Sequence, residues 1–488
     1  MTTSTPSFIT TAIPYVNARP HLGFAYELVL ADVLARHRRC RGRDVRFVTG
    51  TDDHSLKNVV AAAREGVATR ELVDRNAAAF RALGPLLDIS ADDFIATSKD
   101  PRHRTAVEWL WRRCRDDLHS RLWNGRYCAG CEAFVDDDVE LCDEHGTVPE
   151  PVTETNWFFR LSRWREPVLR AIESGRLAIV PDAARAETLA FLRGDVRDLS
   201  VSRDAARSQG WGIAVPDDPS QVIYVWFDAL ANYLAALGLG GGDTALLDRY
   251  WLGTGERVHV IGKGITRFHA AFWPAFLLAA GLPLPDRIAV HGYLTVDGAK
   301  ISKSKGEALA VDAVVADVGA DALRWYFARC CRARVDSDVS LAAIAAAHDR
   351  DLADQLGNLV QRCTALAAKL GTPTRSDSAE AHALLASAAR LPARVDAAID
   401  RFAIDEAATA IVELVAHANR EVEHAEPWRT HDASALHAPL EAARVAVHEL
   451  APFVPGIARA VAIRLDQPGA PPVPRLRARR RGSTPPVA

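Results

Sequence analysis

Apolar, mostly β-branched residues cluster at Phe8–Ile13 and again at Val45–Thr49. Between them, Phe24–Cys40 repeats Leu28, Val29, Val33 and Leu34 at helical spacing before an Arg/Gly break. Strand, helix and strand within about forty residues predict a βαβ unit and a parallel sheet. The alternation continues to "DDFIATS". From about Trp111 to Pro216 the texture changes to turn residues, cysteines and short aromatic runs, and the segment reads as an insertion. "QVIYVWFDAL", "RVHVIGKGI" and "RIAVHGYLTV" return to strand-like runs, which predict a second set of parallel strands. From Leu341 the chain is Ala, Leu, Val and Arg with helical periodicity, an all-helical domain. The closing "PGAPPVPRLRARRRGSTPPVA" is Pro-rich and basic and is expected to be disordered. The expected class is α/β. A sheet domain's first half spans 1–112, an insertion 113–216, the sheet domain's second half 217–340, a helical domain 341–465 and a disordered basic tail 466–488.

Composition adds bounds. A chain of 488 residues holds more than one domain, and 49% hydrophobic with 25% charged residues is ordinary for a globular protein. The net charge of −3 gives no global field for nucleic acid, so any such contact must be local. The N-terminus lacks a basic-then-apolar signal and no apolar run reaches membrane-spanning length, so a cytoplasmic protein without membrane contact is expected. Eight cysteines in so long a chain are not a disulfide framework. In "YCAGCEAFVDDDVELCDEHG", Cys128 and Cys131 stand at x₂ spacing, as do Cys142 and His145. Two such knuckles bring three thiolates and an imidazole around one tetrahedral zinc, structural because no position stays open. Unliganded reduced cysteines are the alternative. Cys40, Cys114, Cys330, Cys331 and Cys363 read as small buried hydrophobes.

Two motifs carry chemistry. In "FITTAIPYVNARPHLGF" a buried strand ends in a turn with His21 and Gly23, then a helix. The glycine permits close backbone approach, the helix start offers N–H groups and a positive dipole end, and His21 can donate to a phosphoryl oxygen. "AKISKSKGE" sets Lys300, Lys303 and Lys305 with Ser302 and Ser304 in a polar loop, suited to fold over a polyphosphate and stabilise charge during displacement at phosphorus. A solvated lysine run is the bland alternative.

Together "PHLGF" and "KISKS" resemble the two signatures of class I aminoacyl-tRNA synthetases. "VRFVTGTDDHSLK", "NWFFRLSRW", "RDLSVSRD", "YVWFDALANY" and "VIGKGITRFHAAFWPA", in that order, are similar to the methionyl-tRNA synthetases among them, over roughly residues 8 to 430. The resemblance implies a Rossmann-type catalytic domain with a zinc-knuckle connective insertion and an all-α helical-bundle anticodon-binding domain. It implies that methionine and ATP, with Mg²⁺, form methionyl-adenylate and pyrophosphate, and that the acyl group then passes to tRNA(Met). His21, Lys300 and Lys303 would be catalytic, with Gly23, Gly262, Ser302 and Ser304 also at ATP. Asp52 would hold the ammonium of the amino acid, and Ile13, Tyr15, Trp226, Ala229, Tyr233, Ile265 and His269 would complete its pocket. Asn358, Arg362 and Trp428 would read the anticodon by hydrogen bonding and stacking.

Four positions depart from the family pattern. Phe24 stands where the signature has a second histidine, Gly264 where an aspartate is usual, Leu230 for a proline and Ser55 for a glycine. Phe24 and Gly264 fall on the nucleotide side, so slower adenylate formation is expected unless another group, His54 being a candidate, compensates. The competing class is a catalytically altered paralogue that binds tRNA or serves specialised metabolism. Without a further oligonucleotide-binding domain after the helical region, a monomer is expected. The tail arginines, Arg475 first among them, are candidates for phosphate contacts.

Overall fold

The structure, a computed structural model, describes residues 5–128, 133–135, 139–142, 146–296, 299–300, 310–467, 471 and 473–476. The chain divides into two compact units: Met1–Pro20, Arg41–Gly84 and Ser90–Val290 form the first, and His21–Cys40, Pro85–Ile89 and His291–Ala488 the second. Helix α1 (Leu22–Cys40), which follows the first strand in sequence, therefore belongs to the second unit.

The first unit is built on six strands: β1 (Pro6–Thr11), β2 (Asp44–Thr51), β3 (Asp93–Ala96), β4 (Ala178–Val180), β5 (Glu256–Gly262) and β6 (Arg287–His291). Their order is β3-β2-β1-β5-β6-β4. β1 pairs in parallel with both neighbours, Ile9 lying opposite Phe47 on one side and Val258 on the other. Phe8, Ile9, Phe47, Val48, Val258 and Val260 are fully buried, which is why these strands read as unbroken apolar runs. The polar members are paired: Thr10 Oγ1 lies 2.7 Å from His259 Nδ1, and Thr11 Oγ1 lies 2.7 Å from Thr49 Oγ1. Strand order reverses between β1 and β5, and in such sheets ligands bind beyond the carboxyl ends at the reversal. Gly50, near the end of β2, has no space for a side chain: a Cβ there would stand 2.2 Å from the Ile95 carbonyl oxygen and 3.1 Å from Ile13 Cγ2.

β4 comes from the segment expected as an insertion. Much of the rest of that segment forms a separate antiparallel sheet from Leu118–Cys128, Ala133–Val135, Glu150–Phe159 and Leu199–Ser200. Helix α2 (Pro101–Arg113) starts on an Asp100 cap, whose side chain accepts the Arg102 N–H, with Pro101 at its first position. The strand-like reading of "QVIYVWFDAL" holds only to Ile223, and not as a parallel strand: Asp218–Ile223 pairs antiparallel with Ala214–Val215 and Ser202–Asp204 in a separate sheet, Tyr224 is an extended cap, and helix α3 (Val225–Leu230) follows. A short buried apolar run carries no period that separates helix from strand. "RIAVHGYLTV" likewise splits into β6 and Leu294–Val296, a strand of another sheet.

In the second unit, α1 is buried on nearly every side, charges included, rather than along one face as its apolar spacing predicts. Each buried charge has a partner. Glu27 is 3.0 Å from His291 Nε2, and Asp32 is 2.8 Å from both Arg36 and Arg324. His37 is 2.8 Å from Asp396, and Arg38 is 2.8 Å from Asp400. Arg324, on α4 (Ala320–Arg329), is fully buried and also donates to the carbonyls of Leu87 at 3.1 Å and of Pro452 and Phe453 at 2.9 Å. The bundle comprises α5 (Asn358–Leu370), α6 (Ala379–Asp400), α7 (Ile404–Ala425), α8 (His437–Leu450) and α9 (Pro455–Asp466). Leu384, Ala388, Leu391, Val395 and Ile399 recur at three to four residues on α6, which packs on α7 and α8.

Of the tail's described residues, Arg475 pairs with Asp354 at 2.6 Å and the Leu476 N–H donates to Asp349 at 2.8 Å. One expectation needs correction. Cys114, Cys331 and Cys363 are buried, but Cys40, at the end of α1, is exposed and Cys330 only half-buried. Among the described residues no helix is long and apolar enough to cross a membrane.

Candidate active site

Beyond the carboxyl ends of β1, β2 and β5 the first unit places Ile13 and Tyr15, Asp52, and Ile265 and His269 respectively. Ile13 and Asp52 are buried. Tyr15 and Asp52 meet in an isolated parallel bridge, with the Asp52 N–H on the Pro14 carbonyl at 2.9 Å. Trp226, on α3, stacks on Phe268 with ring centres 3.7 Å apart and planes 8° apart. Its ring lies 6.2 Å from that of Tyr15 and 6.2 Å from that of His269. Ala229 follows three residues along α3, buried.

Hydrogen bonds fix the tautomers behind this wall. His269 Nδ1 lies 3.0 Å from the Ile265 carbonyl, which can only accept, so Nδ1 carries the proton and Nε2 accepts the Tyr233 hydroxyl at 2.8 Å. Burial pushes the His269 pKa down to about 4, so the ring is neutral near pH 7. His259, 4.3 Å from the Tyr233 ring, accepts the Trp273 indole N–H at 3.2 Å and so turns Nδ1–H to Thr10. Burial, with His269 beside it, holds His259 well below the ordinary histidine range. The result is an uncharged, ring-lined wall, the surface against which a thioether packs well, with a buried carboxylate at its edge suited to a cation.

The loop after Asp52 is fastened from several sides. Ser55, the departure from glycine, caps the next helix by accepting the Lys57 N–H at 3.1 Å, and Lys57 Nζ sits 5.0 Å over the Tyr15 ring. The His54 N–H donates to Asp52 Oδ1 at 3.2 Å, and His54 Nδ1 lies 2.7 Å from Asp228 Oδ2. Asp228 Oδ1 takes a second bond from His103 Nε2. Burial opposes charge on both partners, yet the ion pair outweighs it: His54 is raised above its ordinary value and Asp228 is held well below the carboxylate range. Trp211 donates Nε1–H to the Asp53 carbonyl at 2.7 Å and meets the His54 ring edge-on at 6.2 Å. Sequence reasoning missed His103, Asp228, Trp211 and Phe268. Asp228 had a signal, a lone carboxylate inside an apolar run, and so did His103, three residues before the buried Ala106 on α2.

In the second unit, His21 is exposed and its Nδ1 accepts the Gly23 N–H at 3.0 Å. That leaves the proton on Nε2. A Cβ on Gly23 would stand 2.9 Å from ring atoms Cε1 and Nδ1 of His21, so any larger residue there would push the ring out of this position. The His21 carbonyl accepts the Phe24 and Ala25 N–H groups at 3.1 and 3.3 Å, starting α1. Phe24 is buried. His21 also forms an isolated antiparallel bridge with Ala310, just past the lysine loop. Lys300 lies in the short strand Ala299–Lys300, paired with Thr295. Ser302, Lys303 and Ser304 lie outside the described residues. Gly262 ends β5 and Gly264 is exposed in the 3₁₀ turn that follows, both in the first unit.

The family model described as tRNA synthetases class I (M) matches residues 7–144 and 139–364. This chain belongs to that family. A class I (M) relative, the methionine–tRNA ligase of Rhizobium meliloti, is 37% identical over 93% of this chain and 90% of its own length. That of Mycobacterium bovis is 40% identical over 87% of this chain and 83% of its own. The structure of Mycobacterium tuberculosis methionyl-tRNA synthetase in complex with methionyl-adenylate matches with TM-score 0.89 at 37% identity, covering 94% of this chain and 93% of that one.

Two further groups of residues named from the sequence lie away from this pocket in the chain. On α5, Asn358 is exposed and Arg362 stands one turn on; the Arg362 guanidinium lies 6.0 Å from the Trp428 ring and donates to Asn419 at 3.2 Å. Trp428 is 45% exposed, enough indole face for a base to stack on. In the segment 113–216, Cys128 and Cys142 are both buried and each bonds Thr147: Cys128 Sγ is 3.9 Å from its hydroxyl, and the Cys142 backbone N–H donates to its carbonyl at 2.9 Å. Cys131 and His145 lie outside the described residues.

Proposed function

We propose that this chain is a methionine–tRNA ligase, which activates methionine with ATP and transfers it to tRNA(Met) in the cytoplasm. The observation that carries the reading is the neutral aromatic wall of Trp226, Tyr15, Tyr233 and His269 beside the buried Asp52. Asp52 takes the ammonium, and the rings take the sulfur-bearing side chain without offering a charge to compete for it. The carboxylate of methionine then attacks the α-phosphorus of ATP, the P–O bond to pyrophosphate breaks, and methionyl-adenylate forms. His21 donates Nε2–H to a phosphoryl oxygen, Gly23 and Gly262 give the nucleotide close backbone approach, and Lys300, Ser302, Lys303 and Ser304 meet the developing charge. The His21–Ala310 bridge supports this by tying one end of the lysine loop to the signature turn. Magnesium accompanies the ATP and neutralises phosphate charge. Positioning and charge stabilisation carry the step, with no covalent nucleophile.

Asn358, Arg362 and Trp428 contact the anticodon. Cys128, Cys131, Cys142 and His145 hold a structural zinc, a reading supported by the burial of Cys128 and Cys142 and by their bonds to one residue, Thr147. About one equivalent of zinc in purified protein is expected; folded, metal-free protein would refute the site.

Methionine-dependent exchange of pyrophosphate into ATP, followed by charging of tRNA(Met), tests the whole. No exchange with methionine, alongside intact tRNA binding, would identify the altered paralogue instead.

A further inference from the structure

We propose that Asp228 and His103 are positioning residues for amino-acid binding: the buried carboxylate ties the loop that bears Asp52 to the helix that bears Trp226, so that the two sides of the pocket keep one spacing. The inference rests on the amino-acid site proposed above.

Three segments far apart in sequence meet on this carboxylate. Asp228 lies on α3 between Trp226 and Ala229. His103 is the third residue of α2, and His54 follows the Asp52 loop. Asp228 and His103 are both fully buried. One carboxylate oxygen accepts from His54 Nδ1 at 2.7 Å and the other from His103 Nε2, while the His54 backbone N–H reaches Asp52 Oδ1 at 3.2 Å. The path from His103 to the ammonium anchor is therefore continuous through named atoms.

The alternatives are weaker. His103 Nδ1 meets no hydrogen-bond partner among the described residues, so the polar chemistry of this ring is directed at Asp228 alone. The three facing ligand atoms lie within 4.8 Å of one another, the spacing of a metal cluster. Both imidazoles, however, bond the carboxylate directly, which commits the nitrogens an ion would need. A core ion pair placed for stability alone has no reason to join both sides of a pocket. A positioning device does, because substrate affinity depends on spacings held to a fraction of an ångström.

The test is pyrophosphate–ATP exchange on the full chain, with methionine and ATP varied separately. Wild-type protein without methionine-dependent exchange would overturn the reading of the site, and this inference with it. With exchange present, His103→Ala raises the methionine KM about tenfold, with the ATP KM and kcat within about twofold of wild type. His103→Gln, whose amide N–H can replace the imidazole donor, recovers most of the loss. Asp228→Asn keeps the shape, removes the charge, and gives the same split should His103→Ala not fold. A merely structural role would lower the yield or melting temperature of folded protein and leave the methionine KM of the folded fraction unmoved. That result in both variants, or methionine and ATP KM values rising together, overturns the positioning role alone.

Discussion

The pocket in the first unit and the turn at the head of α1 in the second both use histidine, in opposite ways. In the pocket His259, His269 and His103 are buried, and each is bonded to a neighbouring group: Thr10, Tyr233 and Asp228. At the turn His21 is exposed, and its Nδ1 is fixed by the Gly23 amide, which orients the ring. Recognising a small amino acid needs walls set before it arrives, whereas displacement at phosphorus needs donors that meet charge as it develops. Pocket variants should therefore change the methionine KM, and turn variants the rate constant.

The largest effect is expected at the turn. His21→Ala should lower kcat of exchange by about 10²–10³-fold with the methionine KM little changed. A methionine KM that rises in step would erase the contrast. Next, Asp52→Ala should raise the methionine KM by roughly 10–100-fold, the loss of a charged contact of about 1.5–3 kcal/mol, without moving the ATP KM. Tyr233→Phe removes the donor to buried His269 Nε2; a loss of about 1–3 kcal/mol in melting experiments is expected, with a smaller rise in methionine KM.

The ion pair of His54 and Asp228 gives a pH signature. His54, faced by Asp228, Asp53 and Arg70, should titrate by NMR above an ordinary histidine, and should fall in Asp228→Asn. Because its folded pKa is raised, its contribution to stability is full below the ordinary histidine value and is lost as pH rises through the raised one. Asp228 works the other way: its contribution is full above the ordinary aspartate range and is lost as pH falls through its depressed value. Wild type and Asp228→Asn should thus differ most between about pH 4 and 6.5. The smallest effect is assigned to Phe24→His. Restoring a donor should raise the exchange rate a few-fold, while exchanging a buried ring for imidazole costs about 1–2 kcal/mol of stability. An unchanged rate would show that the missing histidine is already compensated.

Much of the frame was legible before the structure. β1, α1 and β2 match their expected spans to within a few residues, because two short unbroken apolar runs flank a longer segment with apolar residues at helical spacing. The change from strand to helix at Tyr224 was not legible, since six apolar residues fit either. Composition and spacing left Trp226 and Tyr233 indistinguishable from core; only the resemblance singled them out. The pairing of Asp228 with His103 was unreadable for another reason: they stand 125 residues apart, and nothing local marks either as the other's partner. His54, raised as a candidate to stand in for the lost histidine, has its Nδ1 bonded to Asp228 instead.

Arg324 carries a consequence for how this protein can be cut. Its acceptors are Asp32, Leu87, Asp88, Pro452 and Phe453, drawn from the first hundred residues and the last forty. A fragment starting at His291 would lack α1 and the 85–89 segment, leaving a buried guanidinium without its carboxylate, a defect of about 3–5 kcal/mol. Splitting the gene between sheet and bundle should therefore give an insoluble C-terminal half. On the ribosome, this core can close only when the final helices have emerged.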